Sequence, residues 1–239
     1  MTRRSRIAAI AAAAFFGAAL LFTILVFTVD VKPIGPQNPN KPHLYYSVGF
    51  AAMNAGFRDA IGTSPFCYTA FFILSILALL LALVPVGLVI FQIIQKKDLK
   101  KVNFSLFMLA AFYVAVIVFM VLFLVLPIEY RPVKEMNGKV KTSFPSPILM
   151  AVLCLFVTYP TVVRTLLGKW SGQLYVQVGC YALALFSFLM SLFSGVHWLS
   201  DAMAAVLFAG ALVSCFYFVF FQMRAKRRAA RKRARLQEQ

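Results

Sequence analysis

Apolar residues form long uninterrupted runs along this chain, and charged residues are almost confined to the segments between the runs. A helix needs about 20 apolar residues to cross the hydrocarbon core of a bilayer. The pattern therefore predicts six transmembrane helices, at about 7–29, 66–94, 104–126, 147–167, 174–193 and 202–222. We expect an all-α fold in which residues 1–223 form a six-helix transmembrane bundle, followed by a basic tail at 224–239.

The composition excludes a water-soluble domain. Hydrophobic residues make up 62% of the 239 residues and charged residues only 13%, whereas an ordinary soluble domain has about 25% charged residues. A cleaved signal peptide is a second interpretation of the first run, because arginines precede it. The run Ile7–Val29 has 23 residues, more than the 7–15 or so of a signal peptide, which favours an uncleaved anchor.

The net charge of +17 is distributed unevenly between the two sides of the predicted bundle. The termini and the connections on their side contain 17 of the 24 basic residues and two of the seven acids. Since Lys and Arg concentrate on the cytoplasmic side, we expect a multi-pass plasma-membrane protein with both termini in the cytoplasm. The basic tail is then expected to contact anionic lipids, and no nucleic acid is expected.

The first connection on the opposite side, Asp30–Pro65, is the longest. Prolines at 33, 36, 39 and 42 favour an extended, poorly hydrogen-bonded stretch, and the moderately apolar segment Tyr45–Phe57 then suits the membrane surface. The other two connections on this side contain most of the remaining polar residues. A functional site, if the chain has one, is therefore expected at this outward face.

His197 and Asp201 are the first candidates for chemistry. Their spacing of four places them on one helix face, where the carboxylate can hold the imidazole as a nucleophile or base. The structural alternative is an interfacial histidine with Asp201 as the helix N-cap.

Arg131 and Ser146 are candidates for phosphate binding. Arg131 can clamp a phosphate in a bidentate manner or simply contact lipid headgroups. Ser146 begins the fourth span, where a helix N-terminus offers N–H groups to an anion. Ser146 as N-cap before Pro147 is an equally complete structural explanation.

The order of these segments carries a family resemblance. The stretch from about Phe104 to Gly210 resembles the type 2 phosphatidic acid phosphatase superfamily, which includes the vanadium haloperoxidases. Arg131-Pro132 is similar to the end of its motif K-x-x-x-x-x-x-R-P, and Pro145-Ser146 to the start of P-S-G-H. Residues 195–201, G-V-H-W-L-S-D, are similar to the motif that ends in H-x-x-x-D and are the most specific match.

The resemblance implies a six-helix lipid phosphatase with an outward-facing site. By this resemblance, His197 attacks phosphorus to form a phosphohistidine, Asp201 orients it, and Arg131 and Ser146 bind the phosphate. The substrate is then a lipid phosphate or pyrophosphate, and the hydrolysis needs neither a metal ion nor a cofactor.

Three departures from the motifs support an alternative function. Leu124, Ile148 and Ser191 stand where the family has a Lys, a general-acid His and an Arg. A catalytically weak or inactive member that binds, senses or transports lipid therefore stays open. The candidates for compensating groups are Lys134, Lys139, Lys141 and His43.

Overall fold

The computed structural model describes residues 1–38, 40–98, 101–126, 128–133, 140–168 and 170–237. Over these residues the chain forms seven helices and one short antiparallel hairpin. In chain order the elements are α1 (Arg3–Thr28), β1 (Gln37–Asn38), β2 (Lys41–Tyr45), α2 (Ala51–Ile61), α3 (Pro65–Lys96), α4 (Phe104–Val125), α5 (Pro147–Leu167), α6 (Gln173–Phe193) and α7 (Leu199–Gln237).

Six of the described helices, all except α2, are long and apolar enough to cross a membrane. Large apolar side chains such as Ile24, Phe72 and Val118 remain exposed on the outside of the bundle. Such an apolar surface is unfavourable in water and suits a lipid environment. The prediction of an all-α transmembrane bundle is confirmed.

Helix α5 lies at the centre of the bundle. It packs against α3, α4, α6 and α7, and half of its apolar span is buried, against 17–33% in the other five. Helices α1 and α7 pack side by side, and Gly210 contacts the ring of Phe15 so closely that a Cβ would lie 2.6 Å from it. Small residues allow this close approach of helices.

The two ends of the bundle differ in their chemistry. Arg4 at the start of α1 and Arg228 near the end of α7 line one cavity, at what we call the terminal end. Helices α5 and α7 begin at the other end, where the backbone N–H of Ser146 donates to the carbonyl of Asp201 over 3.2 Å. We call this the histidine end, because His197 precedes α7 there.

The first connection is more ordered than its prolines suggested. Strands β1 and β2 pair, Lys32 pairs with Val48, and α2 follows at Ala51. The expectation of a poorly hydrogen-bonded stretch was therefore wrong. Prolines remove donors only at their own positions, and the residues between them retain enough N–H groups to form a hairpin.

Helix α7 is longer than the predicted sixth span at both ends. It begins at Leu199 and continues as one helix through Gln237, so that the basic segment after Met223 extends the helix. Charges end a membrane span, but Ala, Arg and Lys are all good helix formers. Hydropathy therefore locates the span and misses the helical continuation.

Candidate functional site

Residues 129–131 and 141–143, in the connection between α4 and α5, pair as two short antiparallel segments. The N–H of Ser143 donates to the carbonyl of Glu129 over 2.8 Å, and the N–H of Arg131 donates to the carbonyl of Lys141 over 2.9 Å. The chain thus doubles back on itself before α5. This turn places Ser143 and Arg131 beside the α6–α7 connection that contains His197.

Ser143 lies between His197 and Asp201. The Nδ1 atom of His197 is 3.9 Å from Oδ2 of Asp201, too far for a hydrogen bond. The Ser143 hydroxyl hydrogen-bonds to this carboxylate oxygen and lies 3.1 Å from Nδ1. Because a carboxylate can only accept, the Ser143 hydroxyl donates to Asp201, and Nδ1–H of His197 then donates to Ser143 Oγ.

This arrangement fixes the protonation of His197. The side chain is buried, and burial lowers the pKa of His197 well below its usual value; the positive charge of Arg131 lowers it further. The imidazole is therefore neutral at pH 7. With the proton held on Nδ1, the lone pair is on Nε2.

Asp201 also organises the first turn of α7. It is the third residue of the helix, fully buried, and its Oδ2 accepts the N–H of Trp198 over 2.9 Å. A carboxylate at this position reaches back to the residue before the helix, as in a capping box. The interpretation of Asp201 as the N-cap residue itself was therefore wrong, because the helix begins before it.

Arg131 and Ser146 lie on different sides of the site. Arg131 is half-buried and lines a cavity together with His197, and its Nε donates to the carbonyl of Thr142 over 3.4 Å. Ser146 is fully buried and occupies the N-cap position of α5, but its side chain makes no capping hydrogen bond. Its Oγ has no hydrogen-bond partner in the described part of the chain.

Of the four predicted compensating residues, the structure describes Lys141 and His43. Lys141 is exposed and contributes its carbonyl to the pairing with Arg131. His43 is exposed on β2 and is not among the residues that line the cavity beside His197. Lys134 and Lys139 lie outside the described residues.

Arg58 on α2 is a basic group near His197. Its guanidinium carbon lies 5.5 Å from the centre of the Trp198 ring, and it shares a narrow cleft with His197. A cation over the face of an indole ring is held by electrostatic attraction to the ring. The first connection therefore supplies a second arginine to this end of the bundle.

An apolar cavity of about 220 Å³ adjoins the histidine. Its walls come mainly from α3, α4 and α5 and include Phe72, Ile76, Met120 and Ile148, and Arg131 and His197 are among its few polar residues. An alkyl chain fits such a lining, while a charged headgroup fits its polar end. Among the described residues, no group of three or more His, Cys, Asp or Glu is arranged to hold a metal ion.

The fold can be compared with known structures at this point. It is similar to the crystal structure of the first transmembrane PAP2 type phosphatidylglycerolphosphate phosphatase from Bacillus subtilis, with a TM-score of 0.55 and 18% identity over 89% of this chain and 96% of that chain. This chain has the fold of a transmembrane PAP2-type phosphatase. No sequence family matches the chain and no curated protein is similar to it, so the likeness is one of fold. It supports the superfamily resemblance carried by the three motifs.

The three residues that depart from the motifs lie in different surroundings. Leu124 is exposed near the end of α4, and Ile148 lines the cavity beside His197. Ser191 is fully buried on α6, and its Oγ has no partner among the described residues. None of the three side chains carries a charge.

Glu129 is a site residue that sequence reasoning missed. It is 3% exposed, and its Oε1 accepts the N–H of Gly49 over 2.8 Å. Its Oε2 and the Oδ1 of Asp201 are both buried without a hydrogen-bond partner in the described structure. Burial raises the pKa of Glu129, and the neighbouring charge of Asp201 raises it further. Glu129 therefore keeps its proton to a higher pH than an exposed glutamate does.

Asn54 fixes α2 over the start of α7 in this PAP2-type fold. Its side-chain amide donates to the carbonyl of Gly49 over 2.8 Å and to Ser200 Oγ over 2.9 Å, and its carbonyl accepts the N–H of Ser200 over 3.1 Å. Asn54 was not a candidate, because an asparagine in a surface helix has no distinctive sequence signal. The signal for Glu129 was only its position two residues before Arg131.

Proposed function

We propose that the protein hydrolyses a lipid phosphate or pyrophosphate with His197 as the nucleophile. One observation carries the proposal: a neutral buried histidine, held through Ser143 by Asp201, faces an apolar cavity that also contains Arg131. A lipid chain in the cavity would bring its phosphate to the Nε2 atom. The fold similarity to a transmembrane PAP2-type phosphatase agrees with this chemistry.

The reaction would proceed in two displacements. The Nε2 lone pair of His197 attacks phosphorus, the N–P bond forms, and the bond from phosphorus to the leaving oxygen breaks. The positive charge that develops on the ring is stabilised through Nδ1–H, Ser143 and Asp201. Water then attacks the phosphohistidine, the N–P bond breaks, and inorganic phosphate is released.

Arg131 would neutralise the phosphate oxygens. Its guanidinium lines the cavity beside His197, and arginine matches the geometry of two phosphate oxygens. Arg58, over Trp198, is the second cation that we assign to this role. Ser146 is fully buried, and we assign it the positioning of α5 against Asp201 through its backbone N–H.

The residue at the family's general-acid position points to the substrate class. Ile148 cannot protonate a leaving group, and general acid catalysis typically contributes about 10²–10⁴-fold. An alkoxide leaves slowly without that proton. A lipid phosphate, whose second pKa is about 6, leaves readily as an anion. We therefore assign lipid pyrophosphates, attacked at the terminal phosphorus, as the preferred substrates.

The test is phosphate release by the purified protein from a polyprenyl pyrophosphate and from a phosphatidic acid, each in detergent micelles. We expect faster release from the pyrophosphate and none with His197→Ala. His43→Ala is the matched control, because His43 lies away from the cavity. If the wild type released phosphate no faster than His197→Ala, the proposed enzymatic activity would be excluded.

The second candidate function is lipid-phosphate binding without turnover. The uncharged residues Leu124, Ile148 and Ser191 favour it, because they leave fewer groups to stabilise a transition state. Vanadate mimics the phosphoryl transition state and serves as the probe. The second function would be established if the protein released no phosphate and vanadate still protected it against thermal unfolding. Arg131→Gln should then lose this protection.

The orientation in the membrane belongs to the same proposal. The terminal end carries most of the Lys and Arg residues, so we assign it to the cytoplasm and the histidine end to the outer face of the plasma membrane. Cysteine labelling distinguishes the two sides. In a background in which the four native cysteines are replaced by alanine, Lys41→Cys on β2 should react with a membrane-impermeant maleimide on intact cells, whereas Lys226→Cys should react only after permeabilisation.

A further inference from the structure

Two adjoining basic cavities lie at the terminal end of the bundle, opposite His197. The first, of about 610 Å³, lies between the ends of α1, α5, α6 and α7. The second, of about 760 Å³, adds the connection between α3 and α4. The cavities share Arg224 and Arg228 of α7, so they form one continuous basic surface.

Four arginines from three helices converge in the first cavity. They are Arg4 of α1, Arg164 of α5, and Arg224 and Arg228 of α7. All four line the same cavity, so their guanidinium groups face one common space. Like charges gathered at the edge of an apolar bundle repel, and the repulsion is relieved when an anion lies between them.

The protein itself supplies little counter-charge to this cluster. None of the residues lining either cavity is acidic. Within the described part of the chain, no ion pair joins Arg4, Arg164, Arg224 or Arg228 to a carboxylate. The positive-inside rule requires basic residues on one side of the membrane, but it does not require them to surround one cavity. Here the four arginines all line the same cavity.

The neutral residues of the first cavity are arranged for polar and apolar contacts together. Thr161 and Tyr217 are joined through their hydroxyl groups over 3.0 Å, and Gln177 donates to the Tyr181 hydroxyl over 3.2 Å. Phe220 lies in the same wall, among the membrane-crossing residues of α7. The cavity therefore offers hydrogen-bonding groups beside an aromatic surface, as a lipid headgroup with its first methylenes requires.

Aromatic rings hold two of the arginines without using their N–H donors. The guanidinium carbon of Arg227 lies 4.0 Å from the centre of the Phe104 ring, and that of Arg224 lies 5.9 Å from the Phe220 ring. A guanidinium stacked on a ring keeps its in-plane donors for phosphate oxygens. Lys96 and Lys101 bring further positive charge to the second cavity.

We propose that the terminal end is a second lipid site, which binds the headgroup of an anionic phospholipid carrying more than one negative charge. It is separate from the site at His197, since the two lie at opposite ends of helices that cross a bilayer. The ligand chemistry is phosphate, and the adjoining apolar surface selects a lipid over a free anion.

The experiment measures lipid binding to the full-length protein in a neutral detergent by native mass spectrometry. Cardiolipin is the probe, because its two phosphodiester groups carry two charges and offer no terminal phosphate to His197. Phosphatidylcholine is the zwitterionic control, and inorganic phosphate at millimolar concentration is the free-anion arm. The cavity variant is Arg164→Gln with Arg228→Gln.

The matched control is Arg6→Gln with Lys226→Gln, which removes the same charge from the same end but outside both cavities. We expect the cavity variant to bind cardiolipin about tenfold more weakly or worse, and the control to change affinity by less than about twofold. Single variants Arg228→Gln and Lys226→Gln, both at exposed positions, repeat the comparison if a double variant misfolds.

If the cavity variant and the control lost the same cardiolipin affinity, the binding would be diffuse attraction to a basic surface, and the proposed site would be wrong. Displacement of cardiolipin by inorganic phosphate at millimolar concentration would overturn the lipid assignment. Tight binding of phosphatidylcholine would do the same.

Discussion

His197 and Asp201 are connected by hydrogen bonds through a third side chain, because Nδ1 and Oδ2 are 3.9 Å apart and the Ser143 hydroxyl lies between them. The histidine is thus oriented by a hydroxyl that is itself oriented by a carboxylate. The interposed hydroxyl extends the reach of Asp201, and it makes Ser143 as important to the tautomer of His197 as the carboxylate is.

Replacing Ser143 by Ala should lower kcat by about 10- to 100-fold, since the hydrogen bonds of a buried charged group contribute about 1.5–3 kcal/mol. KM should change little, because Ser143 is buried and does not line the cavity. The measurement is steady-state phosphate release from a lipid pyrophosphate. Ser75→Ala is the control, as Ser75 lines the same cavity and its hydroxyl donates to the carbonyl of Phe71. An equal loss in both variants would contradict a special role for Ser143.

The carboxyl pair of Glu129 and Asp201 should make stability depend on pH. The folded-state pKa of Glu129 is raised, so the proton stabilises the folded protein and this contribution is lost as the pH rises through that pKa. We expect the Tm of the wild type to fall between about pH 4.5, the usual pKa of a glutamate, and about pH 8, the folded-state pKa of Glu129, and to fall less in Glu129→Gln. Asp59→Asn, at an exposed position of α2, should leave the wild-type pH profile unchanged. Identical profiles for Glu129→Gln and wild type would exclude the raised pKa of Glu129.

Gly195 should be intolerant of any side chain. Its φ of +67° favours glycine, and a Cβ would lie 2.2 Å from the carbonyl oxygen of Gly62, at the start of the turn into α3. Gly168 has a similar φ of +71°, with ψ of −147° in a region almost restricted to glycine, but open space around it. Gly168→Ala therefore tests the backbone strain alone, about 1–3 kcal/mol. Gly195→Ala should lower the Tm clearly further. Equal shifts would show that the contact with Gly62 does not matter.

Introducing an acid at position 148 should broaden the substrate range. Ile148 lines the cavity together with His197, and Ile148→His places a proton donor where the PAP2-type motif has one. We expect the ratio of phosphatidic acid to pyrophosphate hydrolysis to rise, because only the alkoxide needs a proton to leave. Ile148→Leu controls for the change of shape. If Ile148→His slowed the hydrolysis of both substrates equally, the leaving-group explanation would be wrong.

The sequence predicted the membrane helices well because each one satisfies its own backbone hydrogen bonds, so that local hydropathy is enough to find it. It also indicated that His197, Asp201 and Arg131 would meet. It did not indicate Ser143 between the first two, since that contact depends on how the segment before α5 folds back onto Glu129. Likewise, Asn54 and Ser200 are far apart in the chain, and their pairing follows from tertiary packing alone.

Helix α7 connects chemistry at both ends of the protein. Its 39 residues extend about 58 Å at 1.5 Å per residue, nearly twice the hydrocarbon thickness. The first turn contains Asp201, and the later turns contain Arg224 and Arg228. One continuous helix therefore contains a residue of each candidate site, and helix geometry alone sets the distance between Asp201 and the two arginines.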